Sequence, residues 1–319
     1  MKILQLSDIH YGGEYGGKFD CRRNFLSTLD YALNYSNDTI DLIVITGDLA
    51  DTDHFKNYCE IKEVLDRYPN IPHIVLPGNH DSYNDMRAVF GDATVPTSGS
   101  MVKSGILFWN NCDHCGSEPP DGTYRTVFCH YPIGTVKHAF MEKHAHPHAD
   151  TLMVRMYTEH GARDVFCGHF HCWSQNIPSE AMRVHVCAAT QCQLDRNEPE
   201  CAPLSLDAKG GIGMPGYMVI DVDANTGITK DYTFHRVHPD HVLHAMGEYD
   251  FDAVSGNIES LYRLTNSMLE IYGGSTALPT AGIDSIRFAC ASIKRRLPDM
   301  ISTLKRFNLP RMQDYDQKD

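Results

Sequence analysis

Short apolar runs recur through the first two thirds of the chain, and amphipathic stretches separate them. Lys2 to Leu6 and Asp41 to Thr46 are typical of strands, the second of a strand buried on both faces. Between them, Phe25, Leu29 and Leu33 recur at helical spacing. This alternation predicts a layered α/β domain. Further strands are predicted at His73 to Leu76, Ile106 to Trp109, Thr126 to Cys129, Asp164 to Cys167, Arg183 to Ala188, Tyr217 to Asp221 and Ile228 to Phe234.

Residue types that bind metals follow five of these apolar runs directly. In open α/β sheets, binding sites form beyond the carboxyl ends of the strands, so the five segments can converge on one place. Residues two apart on an extended segment point the same way, which lets each pair of such residues bind one ion together. Asp and His suit Mn, Fe or Zn. The segments are Ser7-Asp8-Ile9-His10, Thr46-Gly47-Asp48, Pro77-Gly78-Asn79-His80-Asp81, His130 and Gly168-His169-Phe170-His171.

Taken together and in this order, the five segments resemble the calcineurin-like metallophosphoesterase superfamily over residues 1 to 237. Within that superfamily, Thr46-Gly47-Asp48-Leu49-Ala50 and Pro215-Gly216-Tyr217 are similar to bacterial class III cyclic-nucleotide phosphodiesterases. The resemblance implies an α/β fold with a four-layer sandwich, in which helices flank two mixed β-sheets. It also implies that residues 1–237 form the catalytic domain.

The resemblance implies a ligand set for two metal ions. The first ion would be bound by Asp8, His10 and His171, the second by Asn79, His130 and His169, with Asp48 bridging the two. Two ions about 3.5–4 Å apart can share a hydroxide that attacks phosphorus in line, and metal binding lowers the pKa of water to about 7. The glycines at positions 47, 78 and 168 allow tight turns and a close approach of the backbone to a ligand.

Catalytic roles also follow from the resemblance. His80 is not needed as a ligand, and the resemblance places it beside the leaving oxygen as a proton donor or transition-state stabiliser. Asn79 and Asp81 complete the implied catalytic set. Asp81 either orients the imidazole of His80 or caps a helix, and the sequence leaves these two roles equally open.

The formal net charge of −13 disfavours a protein whose main task is to bind a nucleic-acid backbone. We expect a small phosphate ester as the substrate, and the resemblance implies a nucleotide and a homodimer. No apolar stretch is long enough to span a bilayer, so no membrane partner is expected. The N-terminal residues do not resemble a signal peptide, and the 11 cysteines are spread along the chain, which favours a cytoplasmic protein with reduced thiols.

Three functions of different kinds fit the sequence. The first is a phosphodiesterase that hydrolyses a small nucleotide, with a 3′,5′-cyclic nucleotide such as cAMP as the substrate most typical of the resemblance. The second is a broad-specificity phosphodiesterase or phosphomonoesterase that acts on another small phosphate ester. The third is a non-catalytic metal-binding scaffold, which would be expected to have lost ligands, whereas every expected ligand type is present.

Two segments outside these motifs have open roles. Residues 138–148 hold four histidines, which favour a solvated loop over a lid on the metals or a third metal site. Residues 238–319 change in character, with apolar residues at helical spacing, and predict a helical C-terminal extension.

Overall fold

Two mixed β-sheets form the centre of the computed structural model, which describes residues 1–13, 20–36, 38–96, 99–112, 118–179, 182–206, 208 and 212–237. The strands of the first sheet are β1 (Lys2–Leu6), β2 (Leu42–Thr46), β3 (His73–Leu76), β10 (Gly216–Val222) and β11 (Thr229–Arg236). Their order is β11-β10-β1-β2-β3, with β1, β2 and β3 parallel and the remaining pairs antiparallel.

The second sheet has the order β4-β5-β6-β7-β9-β8. Its strands are β4 (Ser100–Lys103), β5 (Ile106–Trp109), β6 (Thr126–Phe128), β7 (Asp164–Cys167), β8 (Ser174–Ser179) and β9 (Met182–Val186). The four central strands β5, β6, β7 and β9 are parallel, and an antiparallel strand closes each edge. The carboxyl ends of the parallel strands of a sheet lie at one edge, and in both sheets these ends lead into the predicted metal-binding segments.

Helices cover the outer faces of the two sheets. They are α1 (Cys21–Asp30), α2 (His54–Leu65), α3 (Tyr83–Phe90) and α4 (Ala149–Thr158), with a π-helical turn at Tyr31–Tyr35 and a 3₁₀ turn at Met141–His144. The side chain of Asp20 accepts a hydrogen bond from Arg23 N and so caps the start of α1. Gly161 follows α4 with φ +66°, a conformation that favours glycine at a helix end.

The alternation of side chains along each strand divides the core into layers. On β2, Ile43 and Ile45 pack against the helices α1, α2 and α3, whereas Leu42 and Val44 face the second sheet. The aromatic rings of Phe128 and Phe166 stack in this layer between the sheets, with ring centroids 5.3 Å apart. On the far side of the second sheet, Met156 of α4 packs into a third cluster. The predicted four-layer sandwich is therefore confirmed.

The sequence missed three elements, which are α3, β4 and β8. All three are short or lie at the edge of the second sheet, so few of their side chains have to be apolar. Only Met86 and Phe90 of α3 are buried, and no residue of β4 is. A turn at Asn225-Thr226-Gly227 joins β10 to β11. The predicted C-terminal extension, residues 238–319, lies outside the described residues, so its helical character and the domain boundary stay predictions.

Candidate metal centre

Five strand-end loops bring the predicted metal ligands together at one edge of the two sheets. Ligand atoms of Asp8, His10, Asp48 and His171 lie within 4.8 Å of one another, and so do those of Asp48, His130 and His169. Asp48 belongs to both groups, which is the arrangement expected of a bridging carboxylate. The side-chain oxygen of Asn79 lies 3.0 Å from Nε2 of His130 and so joins the second group. All seven predicted ligands therefore lie in one cluster.

The backbone of these loops is held in an unusual conformation. Five of the predicted ligands have positive φ angles, namely Asp8 (53°), His10 (50°), Asp48 (52°), His169 (71°) and His171 (49°). Left-handed backbone costs a residue with a side chain about 1–2 kcal/mol, and such residues gather at functional sites because the surrounding structure fixes them. Among the described residues other than glycine, only Asp53 and Ser104 have a positive φ without being predicted ligands.

Three glycines let the loops approach the ligands closely. A Cβ atom on Gly168 would lie 1.8 Å from Oγ of Ser7 and 2.7 Å from a carboxylate oxygen of Asp8. A Cβ atom on Gly78 would lie 2.1 Å from Oδ1 of Asp48, and one on Gly47 would lie 2.3 Å from Nδ1 of His130. The prediction that these glycines permit a close approach is confirmed, because the closest atoms belong to the ligand side chains or to the adjacent Ser7.

Each predicted ligand histidine is oriented by a hydrogen bond from one ring nitrogen. Nδ1 of His130 donates to the carbonyl oxygen of Thr46 at 2.8 Å, and Nδ1 of His171 donates to that of Cys192 at 3.2 Å. Such bonds fix the ring tautomer and direct the other nitrogen at a metal. The remaining two bonds are from His10 Nδ1 to Asp51 Oδ1 at 2.6 Å and from His169 Nε2 to the carbonyl oxygen of His144 at 2.9 Å.

The arrangement of these rings fits a bound cation. Nδ1 of both His10 and His171 donates elsewhere, and their Nε2 atoms lie 2.9 Å apart, so with a cation bound the neutral rings would present the lone pairs of both Nε2 atoms to the same point. Carboxylate oxygens of Asp48 and Asp8 lie 3.6 Å from these nitrogens. Two lone pairs and two carboxylates that face one point form a donor set for a divalent metal ion.

Burial opposes protonation of all four predicted ligand histidines, but the nearby carboxylates outweigh it at His10, whose pKa is raised, and at His130, whose pKa is raised to about 9. At the other two histidines burial prevails. It lowers the pKa of His171 well below its ordinary value and, together with His130, lowers the pKa of His169 to about 3, so both rings are neutral. Burial raises the pKa of Asp8 to about 6. Burial also favours the neutral form of Asp48, but the charge of His130 holds the pKa of Asp48 well below its ordinary value. A cation would stabilise both carboxylates in their ionised forms.

His80 lies beside this cluster and outside the two groups described above, and it forms a third group with His10 and Asp51, whose ligand atoms also lie within 4.8 Å of one another. Its ring centroid lies 4.9 Å from that of His10, edge to face, and its side chain is 42% exposed. Nδ1 of His80 lies 2.8 Å from Oδ1 of Asp51, and this hydrogen bond raises the pKa of His80 to about 9. The imidazole is therefore held by one nitrogen at the edge of the metal centre, as its predicted role requires.

Asp51 is the functional residue that the sequence reasoning missed. Its carboxylate accepts hydrogen bonds from both His10 and His80, so it links a predicted ligand to the predicted proton donor. The loops after β1 and β2 run side by side, with Tyr11 N donating to Leu49 O and Asp51 N donating to Tyr11 O, and this pairing brings Asp51 to His10. The signal in the sequence was its position three residues after Asp48, in the same loop.

Asp81 has neither of the roles expected of it. Its carboxylate accepts hydrogen bonds from the amides of Leu49, Ala50 and Gly78 and from the hydroxyl of Tyr58. These bonds tie the loop after β3 to the loop after β2. The residue that orients the imidazole of His80 is Asp51, and the N-cap of α3 is Ser82. A buried carboxylate that pairs with loop amides is a structural group.

A cavity of about 400 Å³ opens beside the metal centre. Asp48, Asn79, His80, His169 and His171 line it on the side of the metal centre. The other lining residues include Phe140, Met141, Lys143, His144 and Ala145 of the histidine-rich segment. Residues 142–144 of this segment are exposed, as expected of a solvated loop, and the residues just named also form one wall of the cavity. Among the described residues, the groups that could bind a metal do not include a histidine of this segment.

The family model for the calcineurin-like phosphoesterases matches residues 1–173, which include all the predicted ligands. The chain belongs to the calcineurin-like phosphoesterase family. It is a metal-dependent phosphoesterase, and its buried ligand cluster is the place where this family's divalent metal ions would bind.

The chain is also similar to a curated protein and to solved structures. A curated protein from Fibrobacter succinogenes, named "Probable cyclic nucleotide phosphodiesterase", is 27% identical over 217 residues, which are 62% of this chain and 82% of that protein. A dimetal phosphatase from Danio rerio has the same fold, with a TM-score of 0.50 and 10% identity over 75% of this chain and 96% of that one. A purple acid phosphatase from Lupinus luteus gives a TM-score of 0.46 at 12% identity over 76% of this chain, which spans 55% of that larger chain.

Within the part of the chain that the structure describes, no helix is long and apolar enough to cross a lipid bilayer.

Proposed function

We propose that the chain hydrolyses a phosphodiester of a small nucleotide, with a 3′,5′-cyclic nucleotide such as cAMP as the favoured substrate. The observation that carries this proposal is the cavity, which His80 and four of the predicted ligands line together at one side. Its volume of about 400 Å³ falls within the range typical of small-molecule sites, about 300–1,000 Å³. The name of the relative from Fibrobacter succinogenes supports the same substrate class.

We propose the following ligand assignment for two ions of Mn, Fe or Zn. Asp48 would hold both ions, the first together with Asp8, His10 and His171 and the second together with Asn79, His130 and His169. Ions bound there would supply Lewis-acid polarisation of the phosphate oxygens and a water of lowered pKa. The donor set is compatible with all three metals, so elemental analysis of the purified protein is the measurement that decides among them.

In this proposal, the protein's own contribution to the chemistry centres on His80. Asp51 holds Nδ1 of His80, so the proton on Nε2 is available to the cavity that the ring lines. His80 donates this proton to the oxygen that leaves phosphorus, and Asp51 keeps the ring in position while it does so. Asn79 directly precedes His80, and the contact of its side chain with His130 helps to orient the loop that carries His80.

We also propose that residues 1–237 contain everything needed for the chemistry. Every predicted ligand, His80 and Asp51 lie within the described part of this range. A chain cut after Val237 should bind metal and hydrolyse an aryl phosphodiester at a rate similar to that of the whole chain. A truncated chain that folds and binds metal but does not turn over would show that residues 238–319 contribute to the site.

The experiment that tests the proposed function is a substrate panel run on the purified whole chain with added Mn²⁺. The substrates are cAMP, cGMP, a 2′,3′-cyclic nucleotide, bis-p-nitrophenyl phosphate and p-nitrophenyl phosphate, with His80→Ala as the control. Turnover of the 3′,5′-cyclic nucleotides that is lost in the variant would support the proposal. Turnover of the aryl esters alone would keep the metal-dependent chemistry and reject the cyclic-nucleotide assignment, and no turnover with two bound metals would favour the scaffold.

A further inference from the structure

The cavity beside the metal centre has two chemically different parts. One part carries the ligands and His80, which suit a phosphate group. The other part is formed by residues 140–145, here called the wall segment, together with Tyr131 and Leu194. Tyr131 and Leu194 are almost fully buried, so they offer the cavity a fixed apolar surface. A substrate that fills both parts has a phosphate at one end and a flat or apolar group at the other.

Phe140 and Lys143 give the wall segment its specific chemistry. Phe140 is half-buried and lines the cavity, and the ammonium of Lys143 lies 4.7 Å from the centroid of its ring. Lys143 also donates to the carbonyl oxygen of Pro199 at 3.4 Å, which holds it beside the cavity. A nucleobase can stack on this ring in place of the ammonium, and the exposed Lys143 can then donate a hydrogen bond to an acceptor atom at the edge of that base.

The wall segment is anchored to the protein at several points. Ala139 N donates to Arg196 O at 2.8 Å, and Met141 N donates to Nδ1 of the buried His138 at 3.2 Å. The side chain of Met141 packs into the core cluster beneath the second sheet. At the far end, the carbonyl oxygen of His144 accepts the hydrogen bond from the predicted ligand His169. The segment is therefore a fixed part of the site.

We propose that Phe140 and Lys143 form the subsite for the base of the nucleotide, Phe140 by stacking and Lys143 by a hydrogen bond to a base acceptor. This inference rests on the proposed function, because it assigns the part of the cavity that a nucleotide needs beyond its phosphate. The subsite makes nucleotide esters better substrates than simple diesters through binding of the base. The metal centre and His80 act on the phosphate in both kinds of substrate.

The test compares two diesters on the Mn²⁺-loaded whole chain, cAMP and methyl p-nitrophenyl phosphate, which has no base. Phe140→Ala should lower the ratio of kcat/KM for cAMP to kcat/KM for methyl p-nitrophenyl phosphate by about 5- to 100-fold, because one stacking contact is lost. Most of this change should come from a higher KM for cAMP. Lys143→Met should lower the same ratio by a smaller factor. Phe140→Tyr keeps the stacking face and should restore most of the ratio.

Lys137→Met is the matched control. Lys137 is exposed and precedes the wall segment, but it lines a separate groove with Arg196 and not this cavity. Its substitution removes the same charge and should leave both kcat/KM values as they are. If Lys137→Met lowers the ratio as much as Lys143→Met does, the effect is one of overall charge and the subsite is rejected.

A second measurement separates this inference from the proposed function. Adenosine, which has a base and no phosphate, should inhibit hydrolysis of methyl p-nitrophenyl phosphate competitively, and Phe140→Ala should raise its inhibition constant at least 5-fold. If cAMP is turned over equally well by wild type and Phe140→Ala, the proposed function stands and the subsite is wrong. If both diesters lose the same factor, the residues act on the phosphate or the fold, which also rejects the subsite. If wild type hydrolyses only the aryl diester, the proposed function is wrong, and adenosine inhibition then decides the subsite by itself.

Discussion

The strand-end loops and the wall segment line the same cavity, but they are built in different ways. The loops present buried ligands on left-handed backbone, and glycines such as Gly168 pack against those ligands without room for a methyl group. The wall segment presents Lys143 and His144 from a short 3₁₀ turn, and both side chains are exposed. The loops therefore tolerate almost no change, whereas the wall can vary while its anchors remain. In our proposals, the first region supplies the chemistry and the second the selectivity.

The largest effect is expected where the loops leave no space. Gly168→Ala would place a methyl group on Ser7 and Asp8, so the loop that carries His169 and His171 has to move. We expect metal affinity to fall by at least about 10- to 100-fold, as it does when the surroundings of a ligand are lost, and turnover to fall with it. Metal titration followed by activity measures this directly.

Gly91→Ala is the matched control for that substitution. Gly91 ends α3, and a Cβ atom there would meet nothing within 4 Å, although its φ of +83° disfavours alanine. We expect a loss of about 1 kcal/mol in the free energy of unfolding and unchanged metal affinity. Equal metal affinity in the two variants would show that the loops are not as tightly packed as the comparison requires.

The next prediction distinguishes the roles of two carboxylates in the loop region, Asp51 and Asp81. Asp51→Asn should lower kcat by about 10- to 100-fold with the protein still folded, because Asp51 orients both His80 and His10. Asp81→Asn should lower the melting temperature, because Asp81 binds loop amides and Tyr58, and should affect kcat less. Steady-state kinetics and thermal unfolding of both variants provide the test, and a larger kcat loss in Asp81→Asn would restore Asp81 as the catalytic partner of His80.

Removal of metal ions should destabilise the metal centre but should not affect a buried ion cluster elsewhere in the fold. Asp164 accepts hydrogen bonds from Arg183 and His185, so protein groups alone satisfy it. We expect a chelator to lower the melting temperature of the wild type, because the loops lose their cations. Asp164→Asn should lower the free energy of unfolding by about 1.5–3 kcal/mol with or without the chelator. A chelator that leaves the melting temperature unchanged would contradict the view that the loops need cations.

The smallest effect is the pH dependence of that same variant. Burial opposes ionisation of Asp164, but its hydrogen bonds with His185 and Arg183 hold its pKa below the ordinary value. A carboxylate with a lowered pKa stabilises the fold above the unfolded-state pKa of about 3.9, and this contribution is lost as the pH falls through the folded-state pKa. The stability difference between wild type and Asp164→Asn should therefore be full at pH 7 and shrink below about pH 4. Denaturant unfolding at several pH values measures it.

The sequence predicted the loop region better than the wall, and the reason is physical. β1 and β2 are buried on both faces, so their apolar runs are unmistakable, and the residues that follow are of types that bind metals and have no packing role there. The sequence did not predict the role of Asp51, because that role depends on the pairing of two loops, which spacing along the chain does not show. Asp81 was misassigned for the same reason, since its partners Leu49 and Tyr58 lie far from it in sequence.

The wall segment could not be predicted because its position depends on long-range anchors. Four histidines within residues 138–148 suggested solvent or a metal, yet the fold uses a buried His138 as an acceptor for Met141 N and a carbonyl of His144 as the partner of His169. The edge strand β4 was missed for a related reason, because exposed Val102 and Lys103 leave it without a continuous apolar run.

The most direct test of the account measures metal content and turnover together in His80→Ala and Asp48→Ala. The account predicts that His80→Ala keeps the metal content of the wild type and loses about 10²- to 10⁴-fold in turnover, because it removes a proton donor and no ligand. Asp48→Ala should lose both metal and turnover, because ligand atoms of both groups meet at Asp48. Loss of metal in His80→Ala, or an active and metal-loaded Asp48→Ala, would contradict the proposed division between ligands and catalyst.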